Sequence, residues 1–277
     1  MPELPEVETI RRSIVGWIVG RKICAIDVRR ADLRWPIPTA LLQQKAIGNM
    51  IQGVERRGKY LLLVCATGRI LLHFGMTGSL RRVKLDDPWQ KHDHVALELG
   101  ENLALRLHDP RRFGAVLWLE KTAWEKHPLL ANLGVEPLEE DFHGEYLFTR
   151  SRHRRVSIKN FLMDARIVVG VGNIYANEAL FLAGLDPLQP AGLLGREACQ
   201  RLATTIRELL SAAIAQGGTT FRDFRDSDGR PGYFRMALCV YQKEGKPCIR
   251  CGTRIRMVRN GGRATFFCPG CQGSGGG

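Results

Sequence analysis

YLLLVCATGRILLHF, residues 60–74, decides how the first half of this chain folds. Tyr60 to Cys65 is a short apolar run of strand length, Ala66-Thr67-Gly68 is turn material, and Ile70 to Phe74 is a second run. The same grammar repeats on the C-terminal side. His94 to Leu99 and Leu103 to Leu107 flank the turn Gly100-Glu101-Asn102, and Ala115 to Leu119 follows. Short strands this close together, with no helical stretch between them, predict an antiparallel sandwich or barrel from about Lys22 to Glu120.

Moving outward, residues 4 to 15 read as a helix, with Val7, Ile10 and Ile14 on one face and Pro5 and Glu6 suited to its first turn. Residues 128 to 150 mix proline, glycine and acidic residues and read as an interdomain connection. Arg196 to Gln216 carries a helical stripe of Leu202, Ile206, Leu209, Leu210 and Ala213, with Gly195 as its N-cap and Gly217-Gly218 as its stop. Residues 217–233 form a polar glycine-rich loop, and the terminal GSGGG is expected to be disordered.

The chain has 277 residues, enough for two domains and a small appendage. Its 41 Lys and Arg against 28 Asp and Glu leave a formal charge of +13, the footprint of a polyanion binder. Nucleic acid and anionic membrane both satisfy that charge. The basic residues, however, are dispersed among structured segments rather than gathered in polybasic blocks. No run of about 18 apolar residues is present, and the opening MPELPEVETI lacks the basic and apolar regions of a secretory signal.

Of eight cysteines, Cys24, Cys65, Cys199 and Cys239 have no regular spacing and read as small buried residues in a reducing compartment. The others form Cys248-x2-Cys251 and, after 16 intervening residues, Cys268-x2-Cys271. Two such turns complete a tetrahedral thiolate shell with no open position, so one structural zinc is expected. Between the pairs, Arg254 to Val258 and Ala264 to Phe267 read as strands joined at Asn260-Gly261. Arg259 and Arg263 then sit near a hairpin tip, either as solvated arginines or as phosphate contacts; the charge of +13 favours the second.

Val169-Gly-Val-Gly-Asn173-Ile-Tyr175 leads into a helical run, Ile174 to Ala183, and a helix N-terminus behind glycines suits an anion. A tight helix–helix turn explains it equally well; Arg152, Arg154, Arg155 and Lys159 just upstream favour phosphate. At the N-terminus, removal of Met1 would expose the secondary amine of Pro2 beside Glu3 and Glu6. An α-amine with a pKa of about 7.7–8.0 is a competent nucleophile near neutrality. Locally, Pro2 and Pro5 also read simply as helix-capping residues.

MPELPEVET at the start, DPRRFGA at 109–115, GVGNIYANE at 170–178, GGTT at 217–220 and RATFFC at 263–268 within the four-cysteine ribbon resemble bacterial formamidopyrimidine-DNA glycosylases. Leu4, where the sibling family acting on oxidised pyrimidines opens with glycine, places the resemblance in the purine branch.

The resemblance implies an α+β multidomain fold. Residues 1–130 would be an antiparallel β-sandwich domain with an N-terminal helix, and 131–150 a linker. A helix–two-turn–helix domain would span 151–238, with a lesion-capping loop at 217–233, and a zinc finger 239–273. It implies excision of 8-oxoguanine and formamidopyrimidines with β,δ-elimination at the abasic site, on double-stranded DNA bound between domains. Pro2 would be the Schiff-base nucleophile, Glu3 the proton donor for excision and Glu6 a supporting group. Lys59 would be the proton donor for β-elimination and Arg263 the residue of δ-elimination, each with a phosphate contact as its alternative. His92, Arg111 and Arg155 match DNA contacts, and His73, Lys159 and Asn173 phosphate contacts. Met76, Arg111 and Phe113 would fill the gap left by a flipped nucleotide. The resemblance further implies no organic cofactor, no membrane partner, a monomer, and a cytoplasmic enzyme on nucleoid-associated DNA.

Overall fold

The computed structural model describes residues 2–217 and 238–273. Contacts divide them into two compact units, residues 2–131 with 216–217 and residues 132–215 with 238–273. Among the described residues, no helix is long and apolar enough to cross a membrane.

The first unit opens with α1 (Leu4–Ile18), β1 (Ala25–Val28) and α2 (Thr39–Ala46). Seven strands follow: β2 (Ile51–Arg57), β3 (Tyr60–Cys65), β4 (Gly68–His73), β5 (Ser79–Lys84), β6 (Asp93–Glu98), β7 (Leu103–His108) and β8 (Ala115–Glu120). They pair antiparallel as two four-stranded sheets, β1-β6-β7-β5 and β2-β3-β4-β8. Alternation makes the core: Leu61, Leu63 and Cys65 of β3 join Ile70 and Leu72 of β4, Val95 and Leu97 of β6, and Leu105 and Leu107 of β7 in one cluster.

Val7, Ile10, Ile14 and Ile18 of α1 enter the same core, all fully buried. Ile18 is one more core position four residues past Ile14, which is why the helix runs beyond the expected residue 15. Helix α2 was not expected. It buries only Leu42 and Ala46 and has too little amphipathic pattern to stand out from strand-rich surroundings. Cys24 also differs from the reading of a buried residue: it is exposed just before β1, while Cys65 and Cys199 are buried.

The second unit contains α3 (Gly144–Ser151), α4 (Ile158–Leu162), α5 (Asn173–Leu182), α6 (Arg196–Ala215) and the hairpin β9 (Arg256–Asn260) and β10 (Arg263–Phe267). Helix α3 starts within 131–150, the stretch read as a connection. It packs on α6, where the Gly144 N–H donates to Gln200 Oε1 at 3.2 Å, and Arg207 of α6 donates to the Phe142 carbonyl at 2.7 Å, so the later part of that stretch is integral to the helical unit. Every residue of the expected α6 stripe is buried, and the Gly195 carbonyl accepts the first helical bond from Cys199 at 3.0 Å. Gly217 adopts φ 84° beyond the helix end. Residues 218–233 of the expected capping loop and 274–277 of the expected disordered tail lie outside the described residues.

Register Asn260↔Arg263 places the two-residue turn at Gly261-Gly262, one position later than expected. Both glycines have positive φ, 58° and 75°, which the mirror-image hairpin turn requires and asparagine tolerates less well.

Candidate functional site

Pro2 and Glu3 immediately precede α1, and both are buried. Glu3 is the N-cap in extended conformation, and its N–H donates to Glu6 Oε2 at 2.8 Å. Glu6 therefore fixes the backbone of Glu3 and acts as a positioning group. One turn on, Glu8 gathers Arg11, Arg12 and Arg56. Burial pushes its carboxyl up, but hydrogen bonds from Arg11 and Arg12 and the charges of Arg11 and Arg56 outweigh this and hold it below the usual carboxylate range.

This cluster ties α1 to the turn that carries Lys59. Arg11 donates to the Val54 carbonyl of β2, Glu8 binds Arg56, and Arg56 donates to the Gly58 carbonyl at 3.2 Å. Helix α1 thus runs antiparallel to β2. Its start lies toward the Gly58-Lys59 turn, where Gly58 takes φ 57° between the paired residues Arg57 and Tyr60. Pro2, Glu3 and Lys59 are brought to one end of the first unit.

Next to that turn, His73 pairs with Tyr60, with ring centroids 5.0 Å apart, and its Nδ1 accepts the Gly75 N–H at 3.2 Å. Burial lowers its pKa to about 4; the charge of Lys59 adds to this, and a hydrogen bond with the Phe113 backbone opposes it. The ring is neutral at physiological pH, so it is not a cationic phosphate clamp. It braces two loops. Gly75 (φ 57°) comes so close to Phe113 that a Cβ there would lie 2.5 Å from the Phe113 carbonyl carbon. Exposed Met76, on the Gly75 side, and Phe113 are thereby neighbours, and the Arg111 guanidinium lies 4.8 Å from the Phe113 ring centre.

Two buried acids, which the sequence reading left unassigned, shape the loops around these side chains. Asp109, fully buried, accepts the Gly114 N–H at 2.8 Å and closes the DPRRFG loop. His94 Nε2 bonds the Asp109 carbonyl at 2.8 Å, and the Asp109 N–H donates to the His92 carbonyl at 2.9 Å. Asp93 takes Arg81 Nη2 on both oxygens, His108 Nδ1 at 2.9 Å and the Gln90 N–H at 2.9 Å. Arg106, 2% exposed, donates to the carbonyls of Leu85, Asp87 and Pro88. His92 is therefore presented by a turn that is tied on both sides. Asp-Pro at 109–110 was the one sequence signal for this, a turn initiator inside a quoted motif.

In the second unit the four cysteine sulfurs lie within 4.8 Å of one another. Cys248 is 3.8 Å from Cys271, and Cys251 is 3.4 Å from both Cys268 and Cys271. A tetrahedron with Zn–S bonds of about 2.3 Å has edges of about 3.8 Å, so the thiolates fit one zinc ion. The Arg250 N–H points to Cys248 Sγ at 3.4 Å, a contact that steadies a metal-bound thiolate. The finger docks on α5: Arg250 donates to the Phe181 and Leu182 carbonyls, and buried Glu178 accepts the N–H groups of Cys239, Val240 and Tyr241.

Arg263 is exposed beside the hairpin turn, and Arg155 is exposed between α3 and α4. Asn173 is half-buried at the start of α5, where Gly172 is the N-cap; its Nδ2 donates to the Ala264 carbonyl at 3.1 Å. Lys159 differs from the expectation of a phosphate contact. It is fully buried, and its ammonium donates to the Ala264 carbonyl at 2.9 Å and Thr265 Oγ1 at 2.8 Å.

Residues 1–116 match the formamidopyrimidine-DNA glycosylase N-terminal domain, 133–225 the formamidopyrimidine-DNA glycosylase H2TH domain, and 245–273 the zinc finger found in FPG and IleRS. The formamidopyrimidine-DNA glycosylases of Syntrophotalea carbinolica and Thioalkalivibrio sulfidiphilus are 53% and 54% identical over 272 residues, covering 98% of this chain and all of each relative. Among solved structures, a complex of the Lactococcus lactis Fpg with abasic-site DNA superimposes with TM-score 0.91 at 35% identity, covering 98% of this chain and 100% of that one. The MutM (FPG) protein of Thermus thermophilus gives 0.88 at 40%, covering 99% and 100%. The architecture, the thiolate cage and these end-to-end matches agree: the chain belongs to the formamidopyrimidine-DNA glycosylase family.

Proposed function

We propose that this protein is a base-excision repair glycosylase with abasic-site lyase activity, using the Pro2 amine, freed by loss of Met1, as its nucleophile on oxidised purines in duplex DNA. The observation that carries the reading is the burial of Pro2 and Glu3 at the mouth of α1, with Glu6 on the Glu3 N–H and Lys59 at the same end of the unit. The positive helix end disfavours the ammonium form of an amine placed there.

The Pro2 nitrogen attacks C1′ of the damaged nucleoside, the glycosidic bond breaks, and the base leaves with the bonding pair. Glu3 supplies the proton that opens the sugar ring, leaving an iminium at C1′. The iminium acidifies the C2′ proton; its loss expels the 3′ phosphate, with Lys59 as the acid of this β-elimination. A second elimination, at which Arg263 acts, expels the 5′ phosphate. Met76, Arg111 and Phe113 occupy the gap left by the extruded nucleotide, with Phe113 as wedge and Arg111 facing the opposing cytosine. His92, Arg155 and Asn173 hold the backbone, Asn173 with the amide hydrogen not engaged by Ala264. Zinc supplies no chemistry; it stiffens the finger that carries Arg263.

Solved relatives from Lactococcus lactis are bound to Fapy-dG, abasic and oxidised-pyrimidine DNA. We place this chain on 8-oxoguanine and formamidopyrimidines opposite cytosine, as a monomer acting on chromosomal DNA in the cytoplasm. Borohydride reduction with a duplex carrying 8-oxoguanine opposite cytosine tests the reading. Protein lacking Met1 is expected to form a covalent adduct, and protein extended at its N-terminus to form none. Equal trapping by both would refute Pro2 as the nucleophile.

A further inference from the structure

We propose that Lys159 is a positioning residue for Arg263, acting through the finger hairpin, and not a contact to DNA. It lies on α4 within a basic stretch, yet its side chain is fully buried and its partners are 105 and 106 residues away. An ammonium removed from water costs several kcal/mol unless its donors are satisfied. Here they are satisfied by Ala264 and Thr265, the two residues that follow Arg263 on β10. To touch a phosphate, Lys159 would have to release both bonds.

The hairpin needs such a hold. A two-stranded hairpin is marginally stable alone, and the nearest zinc ligand, Cys268, is five residues from Arg263, roughly 17 Å of extended chain. The metal fixes the base, and α4 grips the tip. Asn260 donates to Ser157 Oγ at 2.8 Å and accepts from Asn160 at 2.9 Å, and Gly261 packs so closely on Asn160 that a Cβ would meet its amide at 2.6 Å. Lys159 completes the grip on the strand that carries Arg263. An error of 1 Å in a reacting group costs about 100-fold in rate, so this hold bears directly on the step Arg263 serves.

The inference rests on the reading that Arg263 acts in δ-elimination, and the experiment separates the two. Lys159→Met, Thr265→Val, Arg263→Gln and the double variant Lys159→Met/Arg263→Gln are compared on abasic-site duplex, with zinc content confirming a folded finger. Arg263→Gln is expected to lower the ratio of δ- to β-product. Lys159→Met is expected to lower it about tenfold, the loss that a displacement of roughly half an ångström would cause on that scale. Thr265→Val is expected to lower it less, and the double variant no further than Arg263→Gln alone. The salt dependence of DNA binding should be unchanged in Lys159→Met. A slope flattened by about 0.9 would identify a phosphate contact and overturn the proposal, as would an unchanged product ratio beside a lowered one in Arg263→Gln. An unchanged ratio in Arg263→Gln would instead refute the parent reading, and the inference with it.

Discussion

Asp93→Asn tests whether a buried acid sets the turn that presents His92. The Asp93 side chain is inaccessible to solvent and is held by Arg81, His108 and the Gln90 N–H. Burial pushes its pKa up, but the hydrogen bonds of His108, Gln90 and Arg81 and the Arg81 charge prevail, taking the carboxyl from 3.8 to about 2. At about 1.4 kcal/mol per pH unit, that preference for the charged form is worth about 2–3 kcal/mol. Because the folded-state pKa is depressed, the stabilisation is fully present above pH 4 and is lost as pH falls toward 2. All five tryptophans, Trp17, Trp35, Trp89, Trp118 and Trp124, belong to the first unit, so urea unfolding followed by tryptophan fluorescence reports on that unit alone. The variant should be less stable by about 2–3 kcal/mol at pH 6, and the gap should close as pH approaches 2. A gap of the same size at pH 6 and pH 2.5, or none at pH 6, would refute the argument.

Gly75→Ala combines a φ of 57° with a Cβ 2.5 Å from the Phe113 carbonyl carbon. The left-handed conformation alone costs about 1–2 kcal/mol, and the clash moves Met76 away from Phe113. Excision of 8-oxoguanine should fall more than cleavage of abasic DNA, where no base must be everted; equal losses would show that the two loops do not act in base eversion. His73 should titrate near pH 4 by NMR, below the ordinary 6.5, so its contribution to stability is present above pH 6.5 and is lost as pH falls toward 4. A midpoint above 6 would contradict the brace. Chelation should release one zinc per chain and weaken DNA binding while leaving the tryptophan emission of the first unit unchanged; a changed emission would show that the two units do not fold independently of the metal.

Local pattern made much of this molecule readable. The strands from Tyr60 to Glu120 are mostly short apolar runs bounded by turn residues, the α6 stripe repeats at helical spacing, and the CxxC pairs carry their ligands close in sequence. Each needs only neighbours within a few residues. Helix α2 escaped because its buried side is just Leu42 and Ala46, and α3 because the acidic residues and proline before it obscured Phe142 and Leu147. Lys59 and Lys159 show the sharper limit. Both follow arginines, in ERRGKYL and RHRRVSIK, and both read as basic contacts. Lys59 sits at the tip of the β2–β3 hairpin and is half-buried. Lys159 follows the Ser157 N-cap on a five-residue helix whose Ile158, Phe161 and Leu162 are also buried, and it meets a hairpin more than 100 residues away. The groups that satisfy the Lys159 ammonium are encoded more than 100 residues away, beyond the reach of any local pattern.

The same distinction explains why buried ions recur in this fold. A loop that carries a functional side chain leaves backbone N–H and C=O groups without a ladder partner, and buried groups of this kind must be satisfied. Arg106 takes three carbonyls before His92, Asp93 takes the Gln90 N–H, and Asp109 takes the Gly114 N–H behind Phe113. Glu178 takes three N–H groups where the chain enters the finger, and Lys159 takes the carbonyl after Arg263. Such ions add little net stability, since desolvation offsets most of their attraction. What they provide is direction. A charged side chain satisfies several backbone groups at once and admits only the loop conformation that aims them at it. The regular sheets and helices of both units are held by apolar burial. The irregular segments that meet DNA in the proposed function are held by charge.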